Sequence, residues 1–439
     1  MKNTTEIEIV KAFFDGRSDF RDIFFQFSKT AGMFFTLSKI KHSETGAIKG
    51  AGFRRVTKDF THMRNCEITP ELTNELLAKN VKIELREPDS YFDSAKAGSF
   101  LKNLDGKLRD RGKGCVNNID ISLGVSDEAF GIFNGANTVY SNRYRMKFSI
   151  SVITQRGDKK ETFSSFVIDV TPNAAAGNFF NDCAKKSEFA LDMAVALLDA
   201  RSAPTGRMPV LIKNEAGGTL IHEAIGHSLE ADAVRQGISP VYAGAVGKKT
   251  ASSAVTIIDD PTIPGKNGSY VFDDEGNPAR RTVLIEKGVV RTYLLDRKEA
   301  LFLKTESNGH GRRASFKDKP IPRMGITYLA GGEYDFEEML KKAENGILVK
   351  KMGGGQVNPA NGDFVFEVRE GYLIEGGTIG PLIRRATLAG NGPELLKNIK
   401  YVGGSVGWDN GTCGKDGQGA PVSDGMPDTL LPGVVVGGE

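Results

Sequence analysis

Between residues 143 and 152 the chain reads Arg-Tyr-Arg-Met-Lys-Phe-Ser-Ile-Ser-Val, with larger apolar side chains at 144, 146, 148, 150 and 152. Side chains alternate across a strand, so this strict period of two predicts a long strand with one packed face and one wet face. The run from Phe163 to Val170 is expected to pair with it antiparallel through the turn Arg156-Gly157-Asp158, and residues 182–200 carry the pattern of a long helix. Earlier, Thr69-Pro70-Glu71 opens a helix. Thr caps it, Pro suits the first helical position and Glu suits the positive end of the dipole. Leu72, Leu76 and Leu77 are predicted to mark its buried face.

The texture changes after Arg201-Ser202-Ala203-Pro204-Thr205-Gly206, a helix stop followed by a turn-forming linker. The first 210 residues hold 15 of the 52 glycines and the remainder hold 37, as expected of short strands joined by tight loops. The predicted class is α+β. Residues 1–206 form an N-terminal α/β-type domain with antiparallel sheet and packed helices, and residues 207–439 a mostly β domain. In the second domain, Met208 to Ile212 reads as a strand leading into an amphipathic helix that ends at Gly237. Two hairpins follow. Thr282 to Ile285 and Val289 to Leu295 flank Glu286-Lys287-Gly288, and Phe364 to Val368 precedes Tyr372 to Glu375.

At 439 residues, two domains are the natural expectation. The 58 Lys and Arg against 55 Asp and Glu leave a formal charge of +3 with no basic tail, which disfavours nucleic acid as a partner. No apolar run approaches the roughly 18 residues that span a bilayer, and Met1 to Glu6 lead into no signal-like apolar segment. A soluble, cytoplasmic protein is expected. Four separated cysteines, Cys66, Cys115, Cys183 and Cys413, suit neither a disulfide framework nor a structural zinc knuckle.

Against this background one helix stands out: His222-Glu223-Ala224-Ile225-Gly226-His227, which uses two of only five histidines. Two imidazoles around a carboxylate make up most of a hydrolytic metal site, as in the HExxH helix of metallopeptidases. There zinc takes three protein ligands and leaves a position for water, whose pKa it lowers, while the glutamate moves the proton. Here the spacing is HExxxH. A separation of five turns the second side chain by roughly 140° on a regular helix, against about 40° for a separation of four. Both rings reach one ion only if the helix widens, and Gly226 tolerates that departure. A π-type turn is therefore predicted there. The plain alternative is two ordinary helix histidines, one of them buried and hydrogen-bonded.

A third ligand must come from afar, since only Glu230 and Asp232 lie nearby. Cys413 sits in Gly411-Thr412-Cys413-Gly414-Lys415-Asp416-Gly417-Gln418, a glycine-dense loop with a cation two residues on, surroundings that favour thiolate. A small buried thiol is the alternative.

Taken with Phe272-Asp273-Asp274-Glu275-Gly276, Asn308-Gly309-His310-Gly311-Arg312-Arg313, Gly353-Gly354-Gly355-Gln356-Val357, Gly362-Asp363-Phe364-Val365-Phe366 and Ala386-Thr387-Leu388-Ala389-Gly390-Asn391-Gly392, these segments resemble the TldD/PmbA metallopeptidases, specifically the metal-bearing TldD-like branch. They recur in family order across the second half, while the first half matches only in general layout. The resemblance implies one zinc ion per subunit held by His222, His227 and Cys413, with Glu223 as general base and acid. It also implies unfolded or extended peptides as substrate, and a first domain that serves dimerisation and enclosure. The dimer would contain either a second copy or a sister subunit lacking the metal motif.

Two further features have competing readings. Asp273, Asp274 and Glu275 suit either an acidic cluster near a cation or, more simply, a solvated hairpin turn. His310, Arg312 and Arg313 suit either an oxyanion or peptide-carboxylate site or loop packing. Gly353-Gly354-Gly355 lacks the GK[ST] and βαβ context of a phosphate loop and instead admits a close backbone, another strand or an extended substrate. Lys350-Lys351 beside it reads as a solvated face. The functions in competition are a zinc peptidase, a non-catalytic peptide-binding scaffold and a metal-dependent small-amide hydrolase.

Overall fold

The alternation at 143–152 does produce a strand, longer than the pattern alone marks. In the computed structural model, which describes residues 5–89, 92–172, 176–358 and 360–438, strand β5 spans Thr138–Arg156. Six strands, β1 (Phe20–Thr36), β2 (Lys39–Val56), β3 (Thr61–Glu67), β4 (Val116–Phe133), β5 and β6 (Lys159–Asp169), form one antiparallel sheet in the order β3-β2-β1-β4-β5-β6. The β5–β6 turn falls where predicted, with Arg156 opposite Lys159 and Gly157 at φ +60°. Phe148, Ile150 and Val152 pack with Leu101, Leu108, Leu191 and Ala194 from helices Ser94–Arg111 and Ala176–Leu197.

The opposite face of β5 is not simply wet. Arg145 is buried there, with Nε donating to Asn267 Oδ1 at 3.0 Å, and Arg143 pairs with Asp274. The polar positions of this strand dock the sheet onto the second half of the chain, which an alternating pattern cannot distinguish from solvation.

The helix opened by Thr69 spans Pro70–Leu77, with the Thr69 hydroxyl accepting from the Leu72 N–H. Leu72 and Leu76 are buried, but Leu77 is 56% exposed. It follows Leu72 by five residues, so a regular helix turns it away from the packed face.

The strand-rich second half builds a twelve-stranded mixed sheet, and the whole fold is α+β. Strand Gly206–Ile212 runs parallel to Gly346–Val357 and antiparallel to Gln418–Gly437. Arg201–Ser202, read from sequence as linker, pairs parallel with Thr378–Arg384 and so enters this sheet. The expected hairpin around 369–371 does not form, because Asp363–Glu375 is one strand. Its first part pairs with Ala386–Asn391 and its last part with Thr378–Arg384, so the reversal comes at Gly376-Gly377, whose φ values of +58° and +73° are those a tight hairpin needs. Of the run Val289 to Leu295, Val289–Val290 pairs with Thr282–Glu286 and the Arg291 N–H still donates to the Leu284 carbonyl at 2.8 Å, but Leu294 donates to the Leu229 carbonyl at the end of the motif helix. That helix lies in the main core, with Ile221, Ala224, Ile225 and Leu229 buried among Met324, Phe366, Leu388 and Met426.

Candidate metal centre

The two histidines share a face because the helix widens between them. Gly218–Ile221 is α-helical, His222–Gly226 is a π-helical turn and His227–Leu229 a 3₁₀ turn. The His227 N–H donates to the His222 carbonyl, the i to i+5 bond of a π turn. The same five-residue separation that carries Leu77 to solvent here leaves the His222 and His227 rings 5.1 Å apart. The helix does not continue smoothly to Gly237 as expected. Glu230 turns extended (φ −75°, ψ 123°), and a short helix, Ala231–Arg235, follows before Gly237 at φ +73°.

Gly226 has a second reason to be glycine. A Cβ there would stand 2.0 Å from Sδ of the fully buried Met324. Gly226→Ala is expected to cost about 1–3 kcal/mol through overpacking and to weaken metal binding by displacing the turn. Denaturant unfolding and chelator competition measure the two effects; a protein unchanged in both would show that the turn has slack.

Cys413 arrives from the other side of the core. It lies not in a loop but in strand Tyr401–Lys415, which pairs antiparallel with Gln418–Gly437. Asp416-Gly417, both with positive φ, form the two-residue hairpin between them. Arg323 fixes this hairpin by donating to the carbonyls of Cys413 at 2.6 Å and Gln418 at 3.1 Å. Cys413 Sγ lies 3.2 Å from His227 Nε2, and one donor atom each from His222, His227 and Cys413 all fall within 4.8 Å of one another.

Charge around these atoms favours thiolate beside protonated imidazole, so a bound metal would displace the ring protons. Burial pushes the Cys413 thiol up, but hydrogen bonds to His222 and His227 and the charges of those rings outweigh it and hold it at about 5. Burial alone would lower His227; the charge of Glu230 and hydrogen bonds that the ring donates to Cys413 and Glu230 raise it well above the usual imidazole range. Glu230 does not join the three donor atoms. Its Oε2 meets His227 Nδ1 at 3.0 Å, leaving Nε2 towards Cys413, the outer-carboxylate arrangement that orients metal-binding imidazoles. Burial would raise Glu230 too, but Lys415 and His227 bring it down to about 2. Lys415 is committed to this support, at 3.1 Å from Glu230 and 2.7 Å from Asp232, rather than to the thiol. The donor set suits zinc: two imidazoles and a thiol already biased to thiolate, held by elements of the core.

His222, Glu223 and Cys413 line a cavity of about 260 Å³. Glu223 is one-third exposed to it, with Oε2 3.9 Å from His227 Nε2. Sequence reasoning missed three other charged residues on its walls, Arg369, Asp409 and Asp424. Burial raises Asp424 to about 7, and its Oδ1 is enclosed without a hydrogen-bond partner. An aspartate in a strand carries no local signal of such a position.

The secondary candidates lie elsewhere. His310 is fully buried, its ring nitrogens 3.0 Å from Asp259 Oδ1 and from Asn308 Oδ1. Arg312 donates to the Met324 carbonyl at 2.6 Å, and Arg313 to Asp22 and to the Asp274 carbonyl at 3.1 Å each. All three are enclosed by packing and ion pairs, so none reaches the cavity. Nor is Asp273-Asp274-Glu275 a solvated turn: all three residues are buried, because Arg54, Arg143 and backbone N–H groups donate to their carboxylates. Lys351 is also half-buried, with its Nζ over the Phe163 ring and 3.3 Å from Ser165.

Comparison with known proteins adds an independent line. The model of the PmbA/TldA metallopeptidase C-terminal domain matches residues 205–438. A metalloprotease TldD homolog of Buchnera aphidicola subsp. Schizaphis graminum is 31% identical, with 96% of this chain and 93% of that one covered. The homolog of the Acyrthosiphon pisum strain is 38% identical, over 69% of this chain and 64% of that one. The fold is shared with TldE from Thermococcus kodakarensis, at a TM-score of 0.69 and 19% identity over 98% of this chain and all of that one. A match over residues 205–438, and a relative aligned nearly end to end, place this chain in the PmbA/TldD metallopeptidase family.

Proposed function

We propose that the protein is a zinc-dependent peptidase acting on unfolded or extended peptides, with His222, His227 and Cys413 as ligands of one zinc ion per subunit. The observation that carries this reading is the convergence of three donor atoms within 4.8 Å beside a partly exposed glutamate in one cavity. When bound, zinc supplies Lewis acidity, polarising a substrate carbonyl and making water a better nucleophile. Glu223 takes the proton from water as its oxygen attacks the carbonyl carbon, then delivers it to the amine nitrogen as the C–N bond breaks. Glu230 and Lys415 hold His227 in orientation throughout.

An extended substrate is supported by the cavity wall. The ladder between Gly346–Val357 and Asp363–Glu375 jumps from Met352 opposite Val368 to Gly355 opposite Phe366, so Gly353 and Gly354 present bare backbone to the cavity. Such backbone can take main-chain hydrogen bonds from a peptide irrespective of its side chains. The assembly is proposed to be a dimer, of two copies or with a sister subunit, in the cytoplasm. No helix among the described residues is long and apolar enough to cross a membrane.

Zinc affinity and cleavage test the assignment together. Cys413→Ser is expected to weaken zinc at least about 100-fold, more than the loss of an outer-sphere partner costs. Retention at full affinity would remove Cys413 from the coordination sphere. The zinc-loaded wild type should cut a disordered polypeptide and leave a compound with a single amide intact. Cleavage of the small amide alone would favour the amide hydrolase, and cleavage of neither the scaffold.

A further inference from the structure

Among the described residues, Arg369 is the one guanidinium lining the cavity that contains His222 and Glu223. Arg369 makes no hydrogen bond or ion pair with another described residue. Arginines nearby are engaged: the buried Arg323 with two carbonyls, the buried Arg145 with Asn267, and the partly buried Arg384 with Glu161 at 3.2 Å. Three carboxylates, Glu223, Asp409 and Asp424, line the same cavity, yet none pairs with Arg369. Its stem lies against bare main chain. A Cβ on Gly353 would come within 3.1 Å of both Cγ and Nε, so this glycine leaves the room in which the side chain rests.

Arg369 also lines a second cavity of about 580 Å³, bounded by Glu161, Glu367 and Arg384. It therefore borders both the metal cavity and this second space. The nearby Glu161 is already taken by Arg384 and, at 3.7 Å, by Arg385. A chain leaving the metal cavity on this side passes a fork of N–H donors that has no partner, while carboxylates line other parts of the wall. Guanidinium geometry matches a carboxylate through two parallel hydrogen bonds, and a charge-assisted pair is roughly twice as strong as a neutral one.

We propose that Arg369 anchors a carboxylate of the bound peptide, supplied by its C-terminus or by an acidic side chain, and so selects and orients substrate beside the metal site. The inference rests on the peptide reading above, and the test separates the two. Binding of fluorescent peptides is measured by anisotropy on full-length, zinc-loaded Glu223→Gln protein, with and without Arg369→Gln. Three peptides share one neutral sequence: a free acid, its C-terminal amide, and the amide with one Glu near that end.

A carboxylate-bearing peptide is expected to bind roughly tenfold more tightly than the neutral amide, in line with hydrogen bonds to charged groups. Arg369→Gln should erase that advantage and leave the neutral amide unchanged, while Arg369→Lys should keep part of it. Which of the two carboxylate peptides gains identifies the source. Equal binding of all three by the parent, or an equal loss for all three in Arg369→Gln, would overturn the proposal. Because binding is read on protein that does not turn over, failure of the wild type to cleave would count against the peptidase reading alone.

Discussion

Glu223→Gln should keep its zinc and lose peptide cleavage by a factor of roughly 10² to 10⁴, the usual contribution of a positioned general base and acid. The substitution keeps the size of the side chain and its capacity for hydrogen bonds, and removes only its ability to take a proton. Retention of metal follows from the geometry. The three convergent donor atoms belong to His222, His227 and Cys413, whereas Glu223 Oε2 stands 3.9 Å from His227 Nε2. The glutamate sits inside the π turn between the two imidazoles, so its side chain shares their cavity without sharing their role. Metal content, zinc affinity and turnover of a disordered polypeptide are measured on the same preparation. Unchanged turnover would remove Glu223 from the chemistry, and metal lost along with activity would move it into the coordination sphere.

How much of this was legible in the sequence depends on whether the signal was local. The π turn was readable because a separation of five is wrong for chelation on a regular helix and Gly226 sits where the departure must occur. Cys413 stood out as an unusual thiol, but its strand did not, since glycine density suggested a loop where Asp416-Gly417 makes a two-residue hairpin. Glu230 appeared only as a nearby carboxylate. Its task, receiving His227 Nδ1 while paired to Lys415, joins residues 185 positions apart, and no periodicity encodes such a distance. The same limit left His310, Arg312 and Arg313 open between a binding site and loop packing, because charged residues between glycines look accessible until their partners are known. Asp273-Asp274-Glu275 was misread for the complementary reason: a turn composition says nothing about Arg54, over two hundred residues away.

The largest expected effect on stability lies in that misread turn. Arg54 on β2 bonds Asp22 on β1 and Glu275 in the turn, with all three side chains at 1% exposure or less. Arg313 adds a second contact to Asp22 at 3.1 Å, and Arg143 on β5 pairs with Asp274. These ion pairs join the six-stranded sheet to the second half of the chain. Arg54→Met preserves the stem volume but strands two buried carboxylates, and breaking a buried pair from one side costs about 3–5 kcal/mol. The denaturation midpoint should fall accordingly.

Adding Asp22→Asn and Glu275→Gln should recover much of the loss, because the penalty comes from the orphaned charges more than from the missing attraction. The pH dependence has a definite sign. Burial would raise the Asp22 carboxyl, yet Arg54 and Arg313 hold it below its ordinary value. Its contribution is therefore complete above the unfolded pKa of about 3.9 and is lost as pH falls through the lower folded value. In Arg54→Met that downward pull is reduced, so acid should destabilise the variant less than the wild type through this carboxyl. A wild-type midpoint in Arg54→Met would mean that water or Arg297, whose backbone N–H already meets Glu275 Oε2 at 2.7 Å, satisfies the turn without the Arg54 charge.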